Sequence, residues 1–354
     1  MKKLLYIGHS FHNKTKSSQF IQELLAEKYE IEKFDFNPYI YKPAIFEQLK
    51  GKAFDDVVLW QVMPSIFNLK KYISFKNIAF FPMYDGVADF NSPIWSEYRD
   101  CNIINFSHTL HKKCKEYGLS SYYIQYFPKP KNILNQGDKN KVFLWQREEN
   151  ISTETIDKTI GINNLDKVYL HRVPDPECNL KDIPEKWQDK VQISEWFDSK
   201  SDMDNYMQDC AIYYAPRKLE GIGMSFLEAM ALGRCVIAPD NPTMNEYISN
   251  GQNGYLYDYK NPVHIDLENI DEIQKNAYEF IAKGYEKFEA NKREILKWIE
   301  IPVEINSDNS LMDSKLIIKK PKYISINFAK IVNTKKYTTI KLFNFIPLKI
   351  KRNG

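Results

Sequence analysis

The run EGIGMSFLEAMALG, residues Glu220 to Gly233, sets two carboxylates and two glycines at the mouth of an apolar helix. The preceding AIYYAP reads as a buried strand, so RKLEGIG is a strand-to-helix loop and Met224 begins the helix. Gly221 and Gly223 remove side chains where the first backbone N–H groups of a helix have no partner. Those groups and the helix dipole make an anion site, for which phosphate is the usual occupant. No G-x-x-x-x-G-K-[ST] occurs in the chain, so ATP hydrolysis on a P-loop loses support. A carboxylate beside a diphosphate would be repelled. Glu220 and Glu228 therefore suit neutral hydroxyl donors such as those of a sugar, each carboxylate accepting two or more bonds. The plainer alternative pairs Glu228 with a lysine and leaves Glu220 solvated.

Working outward, short apolar runs alternate with amphipathic ones. KLLYIGHS, DDVVLWQV, NIAFFPMYD, CNIINFS and YYIQYF read as strands, with helices at SSQFIQELLAEKY and TLHKKCKEYG. PKPKNILNQGDKNK, near 128–140, breaks the pattern and is a candidate linker. The alternation restarts with VFLWQR, DKVYLHR, KVQIS, CAIYYAP, CVIAP and GYLYD. Helices are expected near 202–209, 224–232 and 243–250 and along 270–300. This pattern predicts an α/β chain of two doubly wound parallel-sheet domains facing a cleft, with ligands beyond the carboxyl ends of the strands. The expected divisions are a first domain at 1–132, a second at 133–300 and a tail at 301–354.

At 354 residues, 43% hydrophobic and 27% charged, the chain has a globular profile, and no run of about 18 apolar residues suggests a membrane span. The opening MKKLLYIGHS reads as a first strand rather than a signal peptide. Five scattered cysteines without a C-x-x-C argue against a disulfide framework or zinc site and suit a reducing cytosol. The net charge of +3 is uneven. Residues 314–354 hold eleven Lys/Arg and no acid, which leaves a body of 38 basic and 46 acidic residues. That acidic body argues against nucleic acid as a partner. The tail KKYTTIKLFNFIPLKIKRNG alternates basic and apolar residues, among them Phe343, Phe345, Lys349 and Arg352. It suits an anionic membrane surface, at about 1 kcal/mol per basic residue; an extra hairpin is the alternative.

The segment EGIGMSFLEAMALGRCVIAPDNPTMNEYISNGQNGYLYD, residues 220–258, resembles the donor site of GT-B glycosyltransferases of the family 4-like, or group 1, type. These carry E-x7-E, an apolar helix, a G-x-x-V-[IV]-A strand and an N-G-[YLF]-L strand. The resemblance implies that Glu220 contacts the donor sugar and that Gly221, Ile222, Gly223, Met224 and Ser225 present backbone amides to its hydroxyls and phosphate. It implies that Glu228 holds the ribose of the nucleotide. It also implies a nucleotide-diphosphate sugar as substrate, retention of anomeric configuration, and no cofactor or metal.

Only seven arginines occur, and two stand at predicted strand ends, Arg147 in FLWQR and Arg217 in YYAPR. Guanidinium matches phosphate oxygens bidentately, which lysine cannot. The resembling family has G-R after this strand and then a lysine about five residues on. Here Gln146 replaces the glycine, and the lysine position falls near Ser152. Arg217 is the candidate substitute cation; the alternative is an ion pair of either arginine with Glu148 or Glu149. Trp196 or Phe197 is a candidate nucleobase contact, or a core residue. Asp202-Met203-Asp204 is formally D-x-D but falls at a helix start, where Ser201 and Asp202 suit capping. On the first-domain side Asp85, expected to end a strand, is a candidate acceptor-orienting group or base, with a turn role as alternative. His108 and His111 suit capping or packing; His9 and His12 remain open.

The expectation is a cytoplasmic enzyme, peripheral at the inner face of the membrane. It would move a sugar from a nucleotide-diphosphate donor to a glycan or lipid-linked acceptor. A nucleotide-sugar epimerase and a catalytically silent sugar-nucleotide or glycan-binding subunit are the alternatives.

Overall fold

The computed structural model describes residues 1–37, 43–132, 135–175, 178–197, 200–302, 329–333, 337–342 and 346–351. Residues 1–303 form one compact unit and 304–354 another.

Two six-stranded parallel sheets build the first unit. The first contains β1 (Lys2–Gly8), β2 (Tyr29–Asp35), β3 (Asp56–Trp60), β4 (Asn77–Phe81), β5 (Asn102–Asn105) and β6 (Ser121–Tyr123), in the order β2-β1-β3-β4-β5-β6. The second contains β7 (Asp138–Gln146), β8 (Lys167–Arg172), β9 (Val191–Ser194), β10 (Cys210–Tyr214), β11 (Cys235–Pro239) and β12 (Tyr255–Tyr257), in the order β12-β11-β10-β7-β8-β9. Each sheet thus reverses its winding once, between β1 and β3 and between β7 and β10. A parallel sheet opens a crevice at such a point, beyond the strand carboxyl ends.

Both faces of these sheets are covered, which is why the central strands are apolar throughout rather than alternating. In β1, Leu4 and Tyr6 face one core while Leu5 and Ile7 face another. In β10, Tyr213 and Tyr214 part in the same way. The core that holds Leu4 and Tyr213 runs continuously from one sheet to the other.

The segment between the sheets is tied to the second one. Lys131 N–H donates to the Ala231 carbonyl at 3.0 Å. Fully buried Arg234 donates to the carbonyls of Leu232, Gln208, Cys210 and Asn135. A buried guanidinium without a carboxylate is tolerable here because four carbonyl dipoles satisfy it. At the other end of the unit, helix Glu294–Ile299 packs back on β4 and β5. Trp298 stacks on Tyr122 at 5.2 Å, and Glu300 accepts from Lys2 at 2.6 Å and Lys28 at 2.5 Å. Glu246 of the second half caps helix His108–Glu116 of the first, accepting from the Ser107 hydroxyl and the N–H groups of His108 and Thr109 at 2.6–2.9 Å.

Several expectations need correction. β4 ends at Phe81, and Asp85 lies in the first turn of helix Tyr84–Val87 rather than at a strand end. The helix expected at 202–209 spans Lys200–Asp209, with Asp202 in its first turn. Asp204 pairs with Lys131 at 2.7 Å. The expected YYIQYF strand pairs only over Ser121–Tyr123, and the helix near 243–250 is only Met244–Tyr247.

The second unit contains a three-stranded antiparallel sheet, β13 (Ala329–Asn333), β14 (Tyr337–Leu342) and β15 (Ile346–Lys351), with Ala329 opposite Leu342 and Tyr337 opposite Lys351. Phe343, Phe345 and Arg352 lie outside the described residues. No helix among the described residues is long and apolar enough to cross a membrane.

Candidate active site

The two crevices open on one cleft of about 1020 Å³. The first sheet lines it with Phe11 and His12 after β1, Gln61 and Met63 after β3, and Met83 and Asp85 after β4. The second sheet lines it with Arg147 after β7 and with Arg217, Glu220 and residues 221–225 after β10. Both strands flanking the second reversal therefore deliver an arginine to the same place.

The glycine loop is built as its composition requires. Gly223 has φ +79°, a left-handed conformation, and a Cβ there would lie 1.9 Å from the Phe226 ring. Only glycine permits this turn into helix Met224–Ala231. A Cβ on Gly221 would lie 2.7 Å from the Met83 Cβ and 2.9 Å from an Asp85 carboxylate oxygen. The bare backbone at 221 is thus where the two halves approach across the cleft. In the first turns of the helix, Met224 and Ser225 line the same cavity with Glu228, which lies four and three residues after them and so on their side of the helix. Glu220 is 7% exposed and Glu228 9%, so both acids are nearly buried at the wall.

Arg147 and Arg217 meet on a residue that sequence reasoning missed. Arg147 donates from Nε to Asp175 Oδ1 at 2.8 Å, and its Nη2 also contacts that oxygen. Arg217 donates to Asp175 Oδ2 from Nε and from Nη2, both at 2.7 Å. The alternative pairing with Glu148 or Glu149 is not what the arginines do. Glu148 instead accepts from the Lys218 N–H at 3.2 Å, and Glu149 pairs with Lys181 at 3.4 Å. Arg217 also reaches across the cleft, with Nη1 at 3.0 Å from Asp85 Oδ2 and 4.0 Å from Glu220 Oε2. Ser152, at the position of the absent family lysine, is the N-cap of helix Thr153–Thr159.

Charge crowding shows in the protonation of the wall. Burial pushes the Glu220 carboxyl up to about 7, against the pull of Arg217, with the Asp85 charge adding to the rise. Burial also raises Asp85, and Arg217 opposes it. Beside Arg147, whose guanidinium lies 4.9 Å over the Trp145 ring, Trp145, His171, Trp196 and Phe197 form an aromatic part of the wall. Phe197 stacks on His171 at 4.6 Å, while Trp196 meets Trp145 edge-on at 6.1 Å and remains 46% exposed. Of the two candidates Trp196 is thus the one with a surface to offer a ligand. Burial lowers His171 to about 4, so it is a neutral ring at physiological pH. His12 is lowered likewise to about 4 by burial and by neighbouring His9, and its Nδ1 lies 2.8 Å from the Ser17 hydroxyl. His108 and His111 lie at the start of helix His108–Glu116, beside Tyr123, and do not line the cleft.

Residues 185–294 match the model of the family described as Glycosyl transferases group 1. No match is found among curated proteins. Among solved structures the chain is similar to HepE of Anabaena in complex with UDP and glucose, at 12% identity and TM-score 0.56, covering 84% of this chain and 100% of that one. It is also similar to sucrose-phosphate synthase of Thermosynechococcus elongatus, at 12% identity and TM-score 0.57, with the same coverage. A glycosyltransferase of Rickettsia africae gives 14% identity and TM-score 0.56, covering 84% and 99%. At such identities the likeness is one of fold. With its two parallel sheets and this likeness, the chain has the GT-B fold, and the stretch 185–294 within it is similar to the group 1 glycosyltransferases.

Proposed function

We propose that this glycosyltransferase moves a sugar from a nucleotide-diphosphate donor to a growing surface glycan. UDP-glucose is the first donor to test, because a structure of similar fold holds it. The observation that supports this reading is the convergence, at one reversal point, of two arginines, an open amide loop and two nearly buried acids. Glu220 would hold the donor sugar and Glu228 the ribose. The 221–225 amides with Arg147 and Arg217 would take up the charge of the departing diphosphate, an effect that preorganised donors supply. Trp196 would flank the base. Asp85, on the first-sheet side of the cleft, would orient the attacking hydroxyl of the acceptor. Transfer would retain anomeric configuration and need no metal, as the resemblance implies.

The test is nucleotide release from UDP-, GDP- and ADP-sugars, with and without a polyprenyl-linked or soluble oligosaccharide fraction. Acceptor-dependent release is expected with one donor. Sugar interconversion without acceptor would indicate an epimerase, and binding without turnover a silent subunit. The basic tail would hold the enzyme against anionic lipid, and the acceptor would then be lipid-linked. A chain ending at Asp313 is expected to lose sedimentation with phosphatidylglycerol vesicles; equal sedimentation of both lengths would end the tail reading.

A further inference from the structure

We propose that Asp175 is a positioning residue that couples Arg147 and Arg217 into one diphosphate-gripping pair; this rests on the donor reading above. Each arginine turns the same edge of its guanidinium, Nε and Nη2, toward this one carboxylate, Arg147 on Oδ1 and Arg217 on Oδ2. A planar fork bound by that edge is fixed in rotation as well as position. Asp175 itself does not line the cleft, while both arginines do. It therefore stands behind them and leaves their outer nitrogens toward the cavity. Its own place is held by the backbone, since its N–H donates to the Arg147 carbonyl at 3.1 Å. Its side chain is 17% accessible.

The sign of its effect on donor binding follows from where the arginines would go without it. Arg217 has Asp85 at 3.0 Å and Glu220 at 4.0 Å, both on the cleft wall. Freed from Asp175, it would fold onto those acids and be neutralised there. Arg147 lies 4.9 Å from the Trp145 ring and would settle on that face. The two arginines would thus settle on different partners, and two like charges no longer bridged by a carboxylate repel. Removing the Asp175 charge relieves some repulsion of a phosphate, but it disperses the two cations that bind one. The second effect wins because Asp175 sits behind the guanidiniums, so its repulsion acts through them from farther away.

Asp175 thus contributes to the phosphates and to nothing else in the ligand. The experiment measures the affinity of UDP, GDP or ADP, whichever the wild type binds best, and of its parent nucleoside, for wild type and Asp175→Asn. The variant is expected to lose tenfold or more for the diphosphate and less than twofold for the nucleoside. Asp175→Glu, which keeps the charge but displaces it by one methylene, is expected to recover part of that loss and serves as the second variant should Asp175→Asn not fold. An equal loss for diphosphate and nucleoside would mean a general structural role and overturn the proposal. An unchanged or tighter diphosphate affinity in either variant would overturn it as well. Failure of the wild type to bind any of the three diphosphates would sink the donor reading itself, a result distinct from both.

Discussion

Arg217→Ala is expected to lower kcat/KM for sugar transfer by about 10²–10³-fold, the range found when one preorganised donor to a developing anion is removed. Two effects act in the same direction. The variant loses a cation that faces the cleft, and it strips the partner from Asp85 at 3.0 Å and from one oxygen of Asp175 at 2.7 Å. Asp85 and Glu220 on the wall, with Asp175 behind it, would then be left with Arg147 alone, and an incoming diphosphate would meet net negative charge. Breaking a buried charge pair by deleting one partner costs about 3–5 kcal/mol where the survivor remains ionised. Here Glu220 and Asp85 are already raised and can take up protons, so the folding penalty should fall well short of that figure. Activity is therefore expected to suffer more than melting temperature. Arg217→Lys keeps the charge and loses the fork, and a loss of about tenfold is expected, carried in donor affinity. Initial rates of nucleotide release across donor concentrations separate the two variants. An Ala variant with unchanged kcat/KM would remove Arg217 from the donor site.

Much of this wall was legible in the sequence because its parts are local. Glu220, the two glycines and Glu228 lie within nine residues, and strand-loop-helix spacing fixes their relation whatever surrounds them. The apolar runs of β1, β3, β4, β7, β10 and β11 were legible for a similar reason, since strands buried on both faces need no partner to look like strands. What failed to show depends on distance along the chain. Asp175 lies between two prolines in VPDPE, where an aspartate reads as a turn residue. Its role arises from arginines 28 and 42 residues away. Glu246 reads as an ordinary helix glutamate, yet it caps a helix 137–139 residues upstream. β2 escapes notice because YEIEKFD is an edge strand with only Tyr29 and Phe34 buried, so its charges mask the period of two. Gln61 takes φ +58° at the mouth of the cleft, and nothing in the local sequence signals that.

Glu220→Gln is expected to raise stability in alkaline solution while abolishing most transfer. The carboxyl is pushed from an ordinary 4.5 to about 7 by burial. Between those values the folded chain holds a proton that the unfolded chain has released. The stability Glu220 contributes is therefore full below about pH 4.5 and declines as pH rises through 7. Each pH unit between the two values is worth about 1.4 kcal/mol, so the loss approaches roughly 3 kcal/mol by about pH 8. Asp85 is raised too and declines in the same sense, but it is present in both proteins and cancels to first order in the comparison. A glutamine at this position cannot ionise, so the variant's melting temperature should overtake the wild type's progressively from about pH 5 to pH 8. Parallel profiles would show that Glu220 titrates at its ordinary value and that the wall is less crowded than its geometry indicates. A donor diphosphate adds negative charge beside the group and raises it further. Donor binding near pH 8 should then take up a proton, seen in calorimetry as a binding enthalpy that tracks the ionisation enthalpy of the buffer. The same substitution should cost transfer about 10²-fold or more, since an amide holds a sugar hydroxyl without the charge that strengthens the bond. A residue that only filled the wall would give the stability and keep the rate. Gaining one while losing the other is the signature of an acid kept in a costly place for its ligand.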